Sequence, residues 1–168
     1  MRLDLNAPAP RPGERLDFWT PVNKQPEPVI FLSRGIHSHA IHYDKRTVPC
    51  VLVTDELGNI TERCPHCDQG TLPRRWRGYL HVYRVHAGVQ VFLCLPPGAG
   101  HVLQNTYGVN FDYRGLMGTV SRVSGQKNKP LVVAINTLLD RRKEIPEELD
   151  PSPFLDTVFR IKRALPNS

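Results

Sequence analysis

Four cysteines and seven histidines are the groups in this 168-residue chain with the most chemistry to offer. Cys64-Pro65-His66-Cys67 sets two thiols three positions apart, a spacing that serves either disulfide exchange or metal capture. A redox pair needs its first thiol at a helix N-terminus, whose dipole lowers the pKa, and follows an apolar strand in a strand–helix–strand unit. Here the approach, Asn59 to Arg63, is a polar turn, and Gly70 and Pro73 leave no room for a helix of useful length. Metal capture fits better. A Cys-x-x-Cys turn closed by a small residue aims two thiolates at one Zn²⁺, and Gly70 lets the chain turn away with positive φ. Tetrahedral zinc needs two further ligands. Cys50, stiffened by Pro49, and His42, eight residues earlier, complete the set His42, Cys50, Cys64 and Cys67. His37, His39 and Cys94 stand as alternatives for one position, and His66, inside the knuckle, points away.

Three thiolates and an imidazole fill all four positions of a tetrahedron, which predicts a structural ion; catalytic zinc keeps a position for water. Nucleotide deaminases use similar ligands but require a His-x-Glu. His37 is followed by Ser38-His39 and His42 by Tyr43-Asp44, so that reading fails.

The charge pattern indicates what the metal supports. The net charge is +6, and residues 69–136 hold Arg74, Arg75, Arg77, Arg84, Arg114, Arg122, Lys127 and Lys129 against Asp112 alone. Such a one-sided segment predicts a polyanionic partner. Within it, Arg74-Arg75-Trp76-Arg77-Gly78-Tyr79-Leu80-His81-Val82-Tyr83-Arg84 interleaves cations with aromatics. If Leu80 and Val82 face the core, Tyr79, His81 and Tyr83 share the opposite face, joined by Phe92 from the next strand. Aromatics among arginines suit single strands: bases stack on the rings, each worth roughly 1–3 kcal/mol, while arginines follow the phosphates. No helix suited to a major groove is evident.

These groups must be positioned by short strands. Val29–Leu32, Val48–Val53, Tyr79–Val85, Val89–Leu95, Met117–Val123 and Leu131–Ile135 alternate or run apolar between turn signals. Two hairpins are predicted, 79–85 with 89–95 and 117–123 with 131–135, together with a hairpin turn at Leu57-Gly58-Asn59 between the cysteine pairs. The fold expected is mainly β: a small barrel or sandwich with a zinc-stapled hairpin subdomain at about 37–73. Residues 1–28 read as a proline-rich extended arm interrupted by Phe18 and Trp19, which are free to dock on the domain or on a partner. Residues 29–136 form the domain. Residues 137–168 form an extension with a helix starting at Ser152-Pro153 and an apolar stripe of Phe154, Val158, Ile161 and Leu165, with Arg160, Lys162 and Arg163 in its last turn. No run is apolar and long enough for a membrane span, and the N-terminus lacks the apolar run of a signal peptide, so a cytoplasmic location is expected.

The order His42, Cys50, Cys64-x-x-Cys67-x-x-Gly70, a basic-aromatic strand, then Arg114-Gly115 and Arg122 leading to Lys127-Asn128-Lys129-Pro130 resembles the core of the zinc-containing single-stranded DNA-binding proteins of T-even-type phages. The resemblance covers roughly residues 29–136. It implies an OB-like barrel, a structural Zn²⁺ on His42, Cys50, Cys64 and Cys67, and a cleft lined by basic and aromatic residues of 74–84 and 111–129. The family's acidic C-terminal tail and basic N-terminal arm are missing, and the gap between Cys50 and Cys64 is longer. The expected function is non-catalytic binding of single-stranded DNA with little sequence preference, with RNA as a second candidate ligand, in replication, recombination or repair alongside the proteins of those processes. Arg74, Arg75, Arg77, Arg84, Arg114, Arg122, Lys127 and Lys129 would neutralise phosphates, and Trp76, Tyr79, Tyr83 and Phe92 would stack bases. The alternatives are a nuclease or transferase built on the histidines of 37–42, and a zinc-ribbon protein-interaction module.

Overall fold

The computed structural model describes residues 18–44, 46–123, 130–139 and 144–158. Their frame is one eight-stranded sheet whose central member, β7 (Arg75–Arg84), is long enough to serve two partners on one side. β2 (Glu27–Phe31) lies antiparallel to its C-terminal half and β3 (His37–Asp44) antiparallel to its N-terminal half. β2 and β3 are therefore one line of chain, interrupted at 32–36. The interruption is hydrogen-bonded: Leu32 and Ser33 both donate to the His81 carbonyl, and Ser33 Oγ accepts the His81 N–H. On its other side β7 pairs with β8 (Val89–Leu95), and β8 pairs with the two-residue β1 (Phe18–Trp19). β2 also pairs with β9 (Leu116–Arg122), and β9 with β10 (Leu131–Leu138). β4 (Arg46–Pro49) closes against β3. The result is mainly β, as expected, but the sheet is open: no described pairing joins β8 or β1 to β10.

Both predicted hairpins form. The first turns at Gly88, which has φ +67°. At Gly118 of β9 a Cβ would lie 2.2 Å from the Ala134 carbonyl and 2.9 Å from the Phe31 ring, so only glycine permits that strand contact. The sequence did not signal α2 (Pro97–Tyr107), because Gly98 and Gly100 depress helix propensity in its first turn. Burial compensates: Ala99, Leu103 and Tyr107, four residues apart, meet the core formed by Val29, Phe31, Leu80, Val82, Val91, Leu93 and Val120.

The opposite face of β7 and β8 is also covered. Residues 144–155 lie across it, ending in α3 (Ser152–Val158). Phe154 and Leu155 pack on Tyr79, Phe92 and Cys94 together with Phe18, and Ile145 packs on Ile30, Leu32 and Tyr83. α3 starts where predicted, and the Ser152 amide is bound by the Asp150 carboxylate. The predicted stripe beyond Phe154 (Val158's side chain, Ile161 and Leu165) and the last-turn cations Arg160, Lys162 and Arg163 fall outside the described residues. So do most of the N-terminal arm and Lys127 and Lys129. Phe18 and Trp19 dock on the domain: the Phe18 ring stacks 5.4 Å from Phe92.

Candidate metal centre and basic face

Between Cys50 and Cys64 the chain makes a small hairpin of β5 (Val53–Thr54) and β6 (Ile60–Glu62). Its turn is built by Asp55, whose Oδ1 accepts the amides of Leu57 (3.0 Å) and Asn59 (2.8 Å). Those donors, the Asn59 amide first, hold the Asp55 carboxyl below its usual range. After Cys64 comes one turn of helix, α1 (Pro65–Gln69), ended by Gly70 at φ +65°. That turn is the knuckle: Asp68 N–H reaches the Cys64 carbonyl, and Gly70 N–H the Cys67 carbonyl.

The hairpin and knuckle return Cys50, Cys64 and Cys67 to His42 of β3, and the four ligand atoms lie within 4.8 Å of one another. Cys64 Sγ is 3.6 Å from His42 Nε2, Cys67 Sγ is 3.4 Å from it, and Cys50 Sγ is 3.5 Å from Cys67 Sγ. A tetrahedral ion with Zn–S near 2.3 Å and Zn–N near 2.0 Å has S···S edges of about 3.8 Å and S···N edges of about 3.5 Å. The three separations above are close to those edges, the others lie within 4.8 Å, and the four cysteines are free thiols. His42 Nδ1 lies 3.1 Å from the Leu72 carbonyl. A carbonyl only accepts, so Nδ1 carries the proton and the Nε2 lone pair faces the sulfurs, the second-sphere arrangement of a ligating histidine. Burial works against a charged Cys64, but the amides of Cys67, Val51 and His66 and the Cys50 thiol outweigh it and bring Cys64 down to about 6. Burial, and then the neighbouring Cys50, push Cys67 up to about 11. A divalent cation resolves that conflict, since it stabilises all the thiolates at once.

The alternative ligands are placed elsewhere. His37 Nε2 pairs with Glu148 at 2.9 Å, His39 sits on β3 opposite Arg77, and Cys94 lies under Phe92 and Phe154. His66 stays outside the ligand set, its ring 5.3 Å from that of His42.

The predicted nucleic-acid residues divide sharply. The alternation of β7 is as read, with Leu80 and Val82 inward and Tyr79, His81 and Tyr83 on the other side, but that other side is not open. Tyr79 and Tyr83 are 2% exposed and Phe92 0%, because residues 144–155 and Phe18 cover them. They cannot stack bases in this arrangement. The covering segment is fastened by polar groups as well. Arg114 donates to the carbonyls of Leu32, Pro146 and Ile145, and Leu149 N–H donates to His81 Nδ1. Arg114 is thus a clamp within the fold. Arg84 is also committed: its Nε is 2.7 Å from Glu27 and its guanidinium lies 4.3 Å from the Trp19 ring centre. Arg122 is buried, with Nε donating to the Pro21 carbonyl, and burial lowers its pKa.

Arg74, Arg75, Trp76 and Arg77 are different. They follow the knuckle directly, and Trp76 is 52% exposed with the Arg74 guanidinium 4.9 Å over its ring. Arg75 and Arg77 line a groove of about 670 Å³ with Ile41, Tyr43, Thr47 and Arg122 among its walls, and none of its lining among the described residues is acidic. Tyr43, 58% exposed, escaped sequence reasoning because the histidines around it drew the reading toward ligands. The alternation His37, His39, Ile41, Tyr43 could have placed it beside Arg75. Comparison with protein-family models, with curated proteins and with solved structures finds no match to this chain.

Proposed function

We propose that the protein is a non-catalytic binder of single-stranded DNA, with a structural Zn²⁺ on His42, Cys50, Cys64 and Cys67. The observation that carries this reading is the cationic start of β7 beside the knuckle, where Arg74, Arg75 and Trp76 are exposed and Arg77 half-buried, next to a groove with Tyr43 that has no acidic residue among its described lining. In the groove, phosphates would meet Arg75 and Arg77 and a base would stack on Tyr43, while Arg74 and Trp76, on the other face of β7, would take the strand where it passes over that end of the sheet. The ion's role is to fix where β7 begins. Strand pairing supports an OB-like reading of the sheet: an interrupted strand β2–β3 with β7 beside both parts and β9 beside β2, the pairs β7–β8 and β9–β10, and α2 between β8 and β9. An OB-fold is a partly open five-stranded barrel.

The test is titration of labelled oligothymidine and duplex DNA of equal length at two salt concentrations, with substrate integrity followed. Single strands are expected to bind more tightly, with affinity falling steeply as salt rises. Equal or tighter duplex binding overturns the reading, and product formation replaces it with an enzyme. Metal analysis of protein purified without chelators is expected to find one zinc per chain; finding none removes the structural ion.

A further inference from the structure

The groove beside Arg75 and Arg77 stops where the sealed half of β7 begins. Arg75, Arg77 and Tyr79 share one face of the strand. Tyr79 is 2% exposed and packs with Phe154, Leu155 and Phe18, whose ring centre is 5.6 Å away. Cys94, which lines the groove, belongs to the same sealed cluster. A nucleic-acid strand lying on the two arginines therefore cannot continue along β7. The volume, about 670 Å³, is that of a small-molecule pocket rather than of a through-channel. Cations gather at the closed end. Arg77 donates a hydrogen bond to the Tyr79 hydroxyl. Arg122, 2% exposed, also lines the groove, and its Nε donates to the carbonyl of Pro21, the neighbour of the lining residue Thr20. Thr20 in turn bonds the Cys94 thiol. Two guanidiniums are thus set in place by the protein before a ligand arrives.

We propose, resting on the single-strand reading above, that the closed end of this groove receives the terminal phosphate of a single strand, so that phosphorylated ends bind in preference to the interior. An internal phosphodiester carries a single charge. A terminal phosphate carries about −1.5 to −2 near neutral pH and offers three acceptor oxygens. That is the anion two guanidinium forks can share, because each fork matches phosphate oxygens in pairs. The terminal base would lie on Tyr43. The next nucleotides would pass Arg75 and leave over the start of β7 toward Arg74 and Trp76, the direction the sealed cluster does not block. A free nucleotide presents the same phosphate chemistry, and the experiment separates the two sources.

The full chain is titrated with internally labelled oligothymidine of one length, ending in hydroxyls, in a 5′ phosphate or in a 3′ phosphate, or closed into a circle, with thymidine monophosphate as a competitor. One of the two phosphorylated strands should bind about tenfold more tightly than the hydroxyl-ended strand and the circle. Arg77→Ala should bring that ratio close to one, whereas Trp76→Ala should weaken every strand and keep the ratio. If Arg77→Ala does not fold, Arg77→Lys, which keeps the charge but not the fork, should still lower the ratio. Equal affinity for hydroxyl-ended, phosphorylated and circular strands overturns the end site while leaving single-strand binding intact. So does a ratio indifferent to the Arg77 variants, or thymidine monophosphate binding as tightly as the phosphorylated strand, which would assign the groove to a free nucleotide. Absence of binding to any single strand removes both the end site and the reading it rests on.

Discussion

The two halves of β7 share a strand and a pattern but meet different fates. Tyr79 to Arg84 lies between α2 and the core on one side and residues 144–155 on the other, and its aromatics are sealed. Arg75 to Gly78 pairs with β3 on one edge and extends beyond the reach of β8 for most of its length. Arg75 and Trp76 face solvent and Arg77 is half-buried, and the approach to them gathers around the four candidate ligand atoms and the small buried cluster of Ala40, Cys50 and Cys64. The alternation in a strand sets which side chains share a face; what later segments lay over that face decides whether it can bind anything. One half is fixed by burial, and the other begins beside a cluster able to hold a metal ion.

The sharpest way to break this comparison is to remove the metal. Chelation, or Cys64→Ala, should release the segment from Cys50 to Arg74 while the sheet keeps its cooperative melt, because structural zinc sites supply folding free energy directly. Proteolysis should then cut within 51–63, and single-strand affinity should fall by two orders of magnitude or more. A chelated protein that resists cleavage there would show that packing, not the ion, positions the N-terminal half.

Next in size is truncation in the sealed half. Phe92→Ala removes a ring in contact with Phe18, His81 and Phe154, and should cost about 3–5 kcal/mol in urea unfolding. The folded fraction should bind single strands within twofold of the parent. A large affinity loss with little loss of stability would mean that residues 144–155 lift away and expose the rings to bases.

How far the sequence carried follows the same division. Ligand set and strand alternation were legible because each depends on local spacing: Cys-x-x-Cys closed by Gly70, and a two-residue period from Tyr79 to Val85. The covering of that face was not, since Ile145, Phe154 and Leu155 lie more than sixty residues from the strand they cover and carry no mark of their destination. Nor did composition separate Arg84 and Arg114, spent on Glu27 and on backbone carbonyls, from Arg75, which is available. α2 was hidden by its glycines, because tertiary burial overrode a poor propensity. The resemblance to phage single-strand binders pointed to a basic, aromatic cleft; the aromatics available for it are Trp76 and Tyr43 rather than Tyr79, Tyr83 and Phe92.

A pH effect of intermediate size belongs to the sealed half alone. His81 accepts Leu149 N–H at Nδ1 and pairs with Gln90 Oε1 through Nε2 at 3.0 Å, so the neutral ring is fully used. Burial, helped by the charges of Arg114 and His37, lowers its pKa from 6.5 to about 4 despite the Gln90 bond. The folded form resists a proton that the unfolded chain takes up below about 6.5. The resulting stability is complete above that pH and is lost as pH falls toward 4, at most about 3 kcal/mol. Urea melts between pH 7 and 4.5 should show that slope in the parent and lose it in His81→Phe. Because release of an ion from the proposed zinc site would also destabilise in acid, the quantity that matters is the difference between the two proteins. An unchanged slope would remove His81 from the account.

The finest comparison uses the two arginines that begin and end β7. Arg84→Ala removes a partner of Glu27 and a cation over Trp19, and should lower stability by about 1–2 kcal/mol while leaving single-strand affinity and its salt dependence unchanged. Arg75→Ala removes an exposed side chain from the groove. It should leave stability within about 0.5 kcal/mol and reduce the slope of log affinity against log salt by about 0.7, one phosphate contact on a single strand. If both variants change the salt slope equally, the whole strand lies on the polyanion, and the division of β7 into a sealed and a working half is wrong.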